Sequence, residues 1–439
     1  MMKRKLMSII CIATVTASLL AGCAQPAPAT APTPEAAAPV TIEFMHSQPE
    51  EERVAVIQEI IDAFQAANPD VVVKQVPVPE DGYGTKLTTL ISGGKLPAIV
   101  EGSIDQARML GSQEVTDGTA SAEVIETVGK DKFYKGSVNV LQSETAGEYY
   151  AVPVSGWVQG IWYRKDLFAE KGLAEPNTWE NILAAAKALN DPAAKKYGIV
   201  FATEVSDFTE QTFSQFALSN NAVLFTDDGK ASFNTPEMKE AVGFYKDLYQ
   251  YCVPGSNGTT QVKDAFLGGN AAMAIYSTYI MGSLYEQGMA DKIGFAVPEN
   301  KNPAGFGMMT SLAVSNTISA EERAAAVRFI SFMLDQEMNI KWLHMSPGGA
   351  NPVLWEVASN DDYLSHEVLK AFGDTSSKVP NTFENLSMFG FQNGKGFVKM
   401  GDISGKMIIP RALNNILVQN ADVDAEMSAA QKAMEETLQ

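Results

Sequence analysis

Val40-Thr-Ile-Glu-Phe-Met45, Val71-Val-Val-Lys-Gln-Val76 and Ala98-Ile-Val100 are three short runs rich in β-branched and large apolar residues. Between them lie two stretches of a different period. From Glu51 to Ala67 apolar residues recur at Val54, Ile57, Ile60, Ile61 and Phe64, the spacing of one helical face. Asn68-Pro69 ends this stretch, because the residue before a proline is pushed away from helical backbone. Tyr83 to Ile91 reads as a second helix, closed by Gly93-Gly94. Strand, helix, strand, helix, strand at this spacing predicts parallel strands with helices packed on their faces. The expected fold class is therefore α/β.

The alternation continues downstream. Glu180 to Leu189 predicts a helix with Thr178 as its N-cap, and Pro236 to Tyr251 a longer one with proline in its first turn. Asp264 to Leu267 reads as a short helix. Tyr197–Phe201, Ala271–Tyr276, Ile293–Val297 and Ser311–Val314 read as strands, the last two flanking a Gly-rich loop at Gly305-Phe-Gly307. Asp227-Asp-Gly229 between two apolar runs predicts a hairpin. Helices are expected again over 320–334 and 407–418. No fixed-period repeat is visible.

Upstream, Lys3, Arg4 and Lys5 precede an apolar stretch, Leu6 to Leu20, which is short for a membrane span but suits a secretory leader. Leu20-Ala-Gly-Cys23 follows and resembles a lipoprotein cleavage box, which implies cleavage after residue 22 and a lipid on Cys23. Removing residues 1–22 takes the length from 439 to 417 and the net charge from −19 to −22, since Lys3, Arg4 and Lys5 are the charges lost. Residues 23–39, with proline at 26, 28, 32, 34 and 39, bury too little to fold and read as a tether.

Composition narrows the function. With 52 acidic against 33 basic residues, the surface repels phosphate backbones, so no nucleic-acid partner is expected. Cys11 leaves with the leader and Cys23 takes lipid, so Cys252 has no cysteine to pair with. No phosphate loop, zinc-binding His-Glu-x-x-His, Cys-x-x-Cys or Gly-x-Ser-x-Gly elbow is present. Neither a metal nor a cofactor nor a catalytic residue is expected.

Three later segments carry a family resemblance. They are Tyr149-Tyr-Ala-Val-Pro153, Gly160-Ile-Trp-Tyr-Arg-Lys-Asp-Leu-Phe168 and Glu175-Pro-Asn-Thr-Trp-Glu180. Together they resemble the hallmark stretch of extracellular solute-binding proteins of family 1, the sugar-type receptors of ABC importers. Ala265–Ile275, Gly305–Ser315 and Ala326–Met333 are similar to further motifs of that family, in the same order. The resemblance implies a periplasmic-binding-protein type II fold, with two discontinuous α/β lobes joined by a hinge and the ligand cleft between them. It implies lobe 1 at 40–155 and 299–333, lobe 2 at 156–298 and 334–439, and chain crossings near 155–160, 298–303 and 333–337.

A sugar site needs flat rings for C–H faces and fixed polar groups for hydroxyls. His46 and Gln48 follow the first strand and are candidates for hydroxyls, with loop capping as the structural alternative. Asp105 follows the third strand and is either an acceptor or a solvated acid. Trp157, at a Gly-flanked turn, and Tyr279, after the strand at 271–276, are candidate stacking rings, with lobe core as the alternative. Phe306 in the Gly-rich loop is a further candidate. Arg411 aligns with a cleft arginine of relatives, or is a surface residue.

The reading is a lipid-anchored extracytoplasmic receptor, expected as a monomer, that gives a sugar or oligosaccharide to an ABC permease. The alternative is a lipid-anchored glycan hydrolase, which needs two carboxylates facing one bond.

Overall fold

The computed structural model describes residues 38–392 and 394–439. The expected leader, Cys23 and all but the last two tether residues lie outside the described residues.

The opening stretch folds as its periods require. β1 (Val40–His46) pairs in parallel with β2 (Val71–Pro77) on one edge and with β3 (Ile99–Gly102) on the other. α1 (Glu51–Ala67) and α2 (Glu80–Ser92) make the crossovers. Ile57, Ile60, Ile61 and Phe64 of α1 are buried, and Val54 at the start of the stripe is half-buried. Phe64 meets Phe329 edge-on at 5.1 Å, and Phe329 meets Phe44 of β1 at 5.7 Å. The helix Ala320–Met333 thus closes the same core from the far end of the sequence. α3 (Ile104–Ser112) starts with a capping box between Ser103 and Gln106, and α4 (Gly118–Val128) is capped by Asp117.

The sheet does not stay parallel. Its order is β2-β1-β3-β7-β4-β5, where β4 is Val152–Arg164, β5 Met273–Ser277 and β7 Phe306–Val314; β6 (Ile293–Ala296) also pairs with β4. β3–β7, β7–β4, β4–β5 and β4–β6 are all antiparallel. β4 is the spanning element. Its first half pairs with β7 and its second half with β5 and β6, so one 13-residue strand of roughly 43 Å joins both parts of the sheet.

Two sequence expectations change here. Trp157 is not on a turn but inside β4, opposite Met308. The Gly-rich segment at 305–307 is not a loop: β7 begins at Phe306, opposite Gln159. The glycines serve strand contact instead. A Cβ on Gly307 would stand 2.5 Å from Trp157 O, and one on Gly156 would stand 2.6 Å from Met308 O. Glycine therefore lets the two spanning strands approach. A bulge at Val154 adds twist just before the crossing.

Two further expectations are weaker in the structure than in the sequence. Residues 197–201 run beside β5 but form only isolated parallel bridges, at Tyr197, Ile199 and Val200. The hairpin around 227–229 is reduced to one antiparallel bridge, Phe225 to Ala231. The helices at Trp179–Ala188 and Pro236–Tyr249 form with Thr178 and Thr235 as caps.

A second apolar cluster gathers Phe201, Phe213, Phe216 and Tyr245 with the helices Ile408–Leu417 and Val423–Leu438. Tyr245 stands 4.3 Å from Phe201 and 5.3 Å from both Phe213 and Phe216. The helix Gln336–Leu343, assigned by resemblance to lobe 2, lies against residues that the same resemblance assigns to lobe 1. Its Asn339 and Trp342 donate to Val154 O and Ser155 Oγ, and its Lys341 pairs with Glu59 of α1.

Candidate functional site

The strand ends and turns around the β4–β7 crossing bring three of the expected residues together. Trp157 and Phe306 project from adjacent strands as a diagonal pair, with ring centroids 5.8 Å apart. Tyr279 stands in the turn after β5, its ring 6.4 Å from that of Trp157. Phe306 is buried and Trp157 half-buried, whereas Tyr279 is 57% exposed, rare for a residue of its size here. An exposed ring beside a half-buried one, which itself packs on the buried Phe306, is a stacking surface with a firm base.

The turn is held by a residue that the sequence reading missed. Asn351 is buried; its backbone exchanges hydrogen bonds with Gly156 (3.1 and 2.7 Å), and its Nδ2 donates to Thr278 Oγ1 at 3.1 Å. It ties the turn bearing Tyr279 to β4 beside Trp157. Gly349 nearby leaves room for the ring, since a Cβ there would come 2.7 Å from Tyr279 Cε1. No local pattern marks this role of Asn351, because the two partners it ties together are 73 and 195 residues away.

The polar side comes from the loop after β1. Glu101 at the end of β3 is buried and accepts from Ser47 N (3.3 Å), Ser47 Oγ (2.8 Å) and Gln48 Nε2 (3.1 Å). Burial pushes its carboxyl up, and these three hydrogen bonds oppose that. Arg53 Nη1 donates to Gln48 Oε1 at 2.6 Å, and its charge reaches both Glu101 and Tyr279. Gln48 thus has both ends of its amide engaged. The chain Glu101–Gln48–Arg53 holds an arginine within electrostatic reach of the exposed tyrosine. The sequence pointed to Asp105 as the acceptor after the third strand; Glu101, four residues earlier, organises the loop.

His46 is not a ligand group in this arrangement. It is fully buried, its Nε2 lies 3.2 Å from Gln75 Oε1, and its Nδ1 accepts from Gln48 N. Burial holds its pKa down at about 4, with the Gln75 contact opposing, so the ring is neutral and braces the loop. Asp105 opens α3, solvent-accessible yet flanked by protein, and burial raises its carboxyl against the pull of Arg108. Arg411 lies exposed on the helix Ile408–Leu417 and makes no side-chain hydrogen bond, ion pair or ring contact with a described residue. The structure does not bring it to the rings. Cys23 lies outside the described residues.

Among the described residues, no group of three or more His, Cys, Asp or Glu side chains is placed to hold a metal ion, and no helix is long and apolar enough to cross a membrane.

Comparison with known proteins agrees with this geometry. A profile described as bacterial extracellular solute-binding protein matches residues 48–340. The putative ABC transporter periplasmic-binding protein YcjN of Escherichia coli is 41% identical over 439 residues, covering all of both chains. The mannitol-binding protein of Pseudomonas aeruginosa is 27% identical, over 64% of this chain and 66% of that one. The sugar-binding protein MalE of Xanthomonas citri superposes with a TM-score of 0.75 at 18% identity, over 91% of this chain and 97% of that one. The cyclic α-maltosyl-1,6-maltose binding protein of Arthrobacter globiformis gives 0.74 at 22% identity, over 91% and 99%. The chain therefore belongs to the bacterial extracellular solute-binding protein family, whose members bind solutes and are not enzymes, and it has the α/β type II periplasmic-binding-protein fold of the MalE-like receptors.

Proposed function

We propose that this protein is a lipid-anchored receptor that captures a sugar or oligosaccharide between two lobes and presents it to an ABC permease. The observation that carries the reading is the ring group Trp157–Tyr279–Phe306 beside the polar chain Glu101–Gln48–Arg53. Rings cover C–H faces, and the amide and guanidinium meet hydroxyls. Relatives named for maltose-type sugars and for mannitol support the same ligand class.

The lobes of this reading are 40–155 with 299–333, and 156–298 with 334–439, the helix Gln336–Leu343 moving with the first. β4 and β7 act as hinge strands, and closure about them reports occupancy to the permease. The receptor works as a monomer, held to the membrane by lipid on Cys23.

The test is titration calorimetry with D-glucose, D-mannitol, maltose and maltotriose, repeated on Tyr279→Ala. The wild type binds at least one of the four, and the variant loses tenfold or more of that affinity while unfolding at an unchanged temperature. Binding of amino acids or peptides in place of all four overturns the ligand class. Full affinity in the variant overturns the site.

A further inference from the structure

A cavity of about 670 Å³ opens where α1, α4 and the helices Ala320–Met333, Gln336–Leu343 and Trp355–Ala358 come together. It shares no lining residue with the rings or with the chain Glu101–Gln48–Arg53. Its size is that of a small-molecule site. Phe64, Val327, Phe332, Leu354 and Val357 give it an apolar lining. Five charged side chains also line it, and four of them are already paired. Glu123 meets Arg323 at 2.7 Å, Arg328 meets Asp70 at 2.8 Å, and Lys132 and Glu356 meet each other at 3.3 Å. Asp335 is the exception. Its carboxyl group makes no hydrogen bond or ion pair with a described residue, and burial raises its pKa with no cation to oppose the shift.

One turn earlier, Ser331 also lines the cavity, and its Oγ is buried without a hydrogen-bond partner. Buried hydroxyls are normally paired. Helical backbone continues through Leu334, so residues 331 and 335 share one face at the i, i+4 spacing, about 5–6 Å apart. An ammonium group carries three donors and no acceptor. It can donate to Asp335 and to Ser331 Oγ at once, and its charge balances the one carboxylate that the lining leaves unpaired. A neutral alcohol meets the hydroxyl but leaves that charge unbalanced. An anion is repelled by Asp335, and the cations that could hold it, Lys132 and Arg328, are engaged. The apolar lining favours a hydrocarbon or aromatic body behind the ammonium.

We propose that this cavity binds an apolar primary amine, with the ammonium held by Asp335 and Ser331 and the apolar body against Phe332, Leu354 and Val357. The site is separate from the ring group and does not depend on the carbohydrate reading. Its walls include both ends of the segment 335–357, whose Asn339, Trp342 and Asn351 hold β4, so an occupant clamps that brace.

Titration calorimetry at pH 7 with 2-phenylethylamine, its neutral analogue 2-phenylethanol and the anionic 3-phenylpropionate tests this on the wild type, Asp335→Asn and Ser331→Ala. The wild type binds the amine at least tenfold tighter than the alcohol and does not bind the acid detectably. Asp335→Asn loses tenfold or more of the amine affinity, and Ser331→Ala threefold or more. Asp335 is exposed and Ser331 Oγ has no partner to lose, so both variants keep the wild-type unfolding temperature, which circular dichroism checks. Hydrogen exchange slows over residues 331–336 and 354–357 when the amine is bound. No binding of the amine, equal binding of the alcohol, unchanged amine affinity in a folded Asp335→Asn, or slowed exchange only elsewhere overturns the site. Each of these leaves the carbohydrate reading standing, because neither Ser331 nor Asp335 belongs to it.

Discussion

Replacing His46 with glutamine makes a test of the loop that carries Gln48. In the folded chain the imidazole is held at about 4, mainly by burial, against an ordinary value of 6.5. The folded state therefore takes up this proton less readily than the unfolded state. The contribution to stability is full above pH 6.5 and is lost as pH falls toward 4. At 1.36 kcal/mol per tenfold, that interval is worth about 3 kcal/mol. Glu210 works in the opposite sense, because its carboxyl is raised to about 7 from 4.5. Its destabilising effect at high pH disappears as pH falls through the same window, so a wild-type profile alone conceals both. The difference between wild type and His46→Gln isolates the histidine, because glutamine does not titrate. Urea unfolding followed by tryptophan fluorescence at pH 7.5, 6, 5 and 4 measures it. The wild-type advantage over the variant should shrink by about 3 kcal/mol across this range. An advantage that stays level from pH 7.5 to 4 refutes a buried neutral His46.

Two packing predictions accompany it. Phe64→Ala removes a buried ring that meets both Phe329 and Phe332, and urea unfolding should show a loss of about 3–5 kcal/mol with ligand affinity unchanged. Gly307→Ala sets a methyl group 2.5 Å from Trp157 O, so the two spanning strands must separate; calorimetry should show weakened sugar binding along with a lower unfolding temperature.

Much of the first half of this fold was legible because its signals are local. The stripe Ile57–Phe64 selects a helical face whatever the rest of the chain does, and the predicted span of α1 agrees with the observed one. The cap Thr178 likewise acts within three residues. The site was legible in part. Trp157, Tyr279 and Phe306, read from the sequence as candidate rings, come together in the fold. Arg411, carried by resemblance alone, does not join them.

Chain alone determined the α/β class, the parallel start and the family, all of which rest on short-range period and motif. Tertiary structure alone decided that β4 and β7 run antiparallel through the middle of the sheet, because pairing residues some 150 positions apart leaves no local trace. It also decided that His46 is a brace and Glu101 an anchor. Which polar side chains are buried depends on strands that meet only after folding, and burial then lowers the His46 pKa and raises that of Glu101.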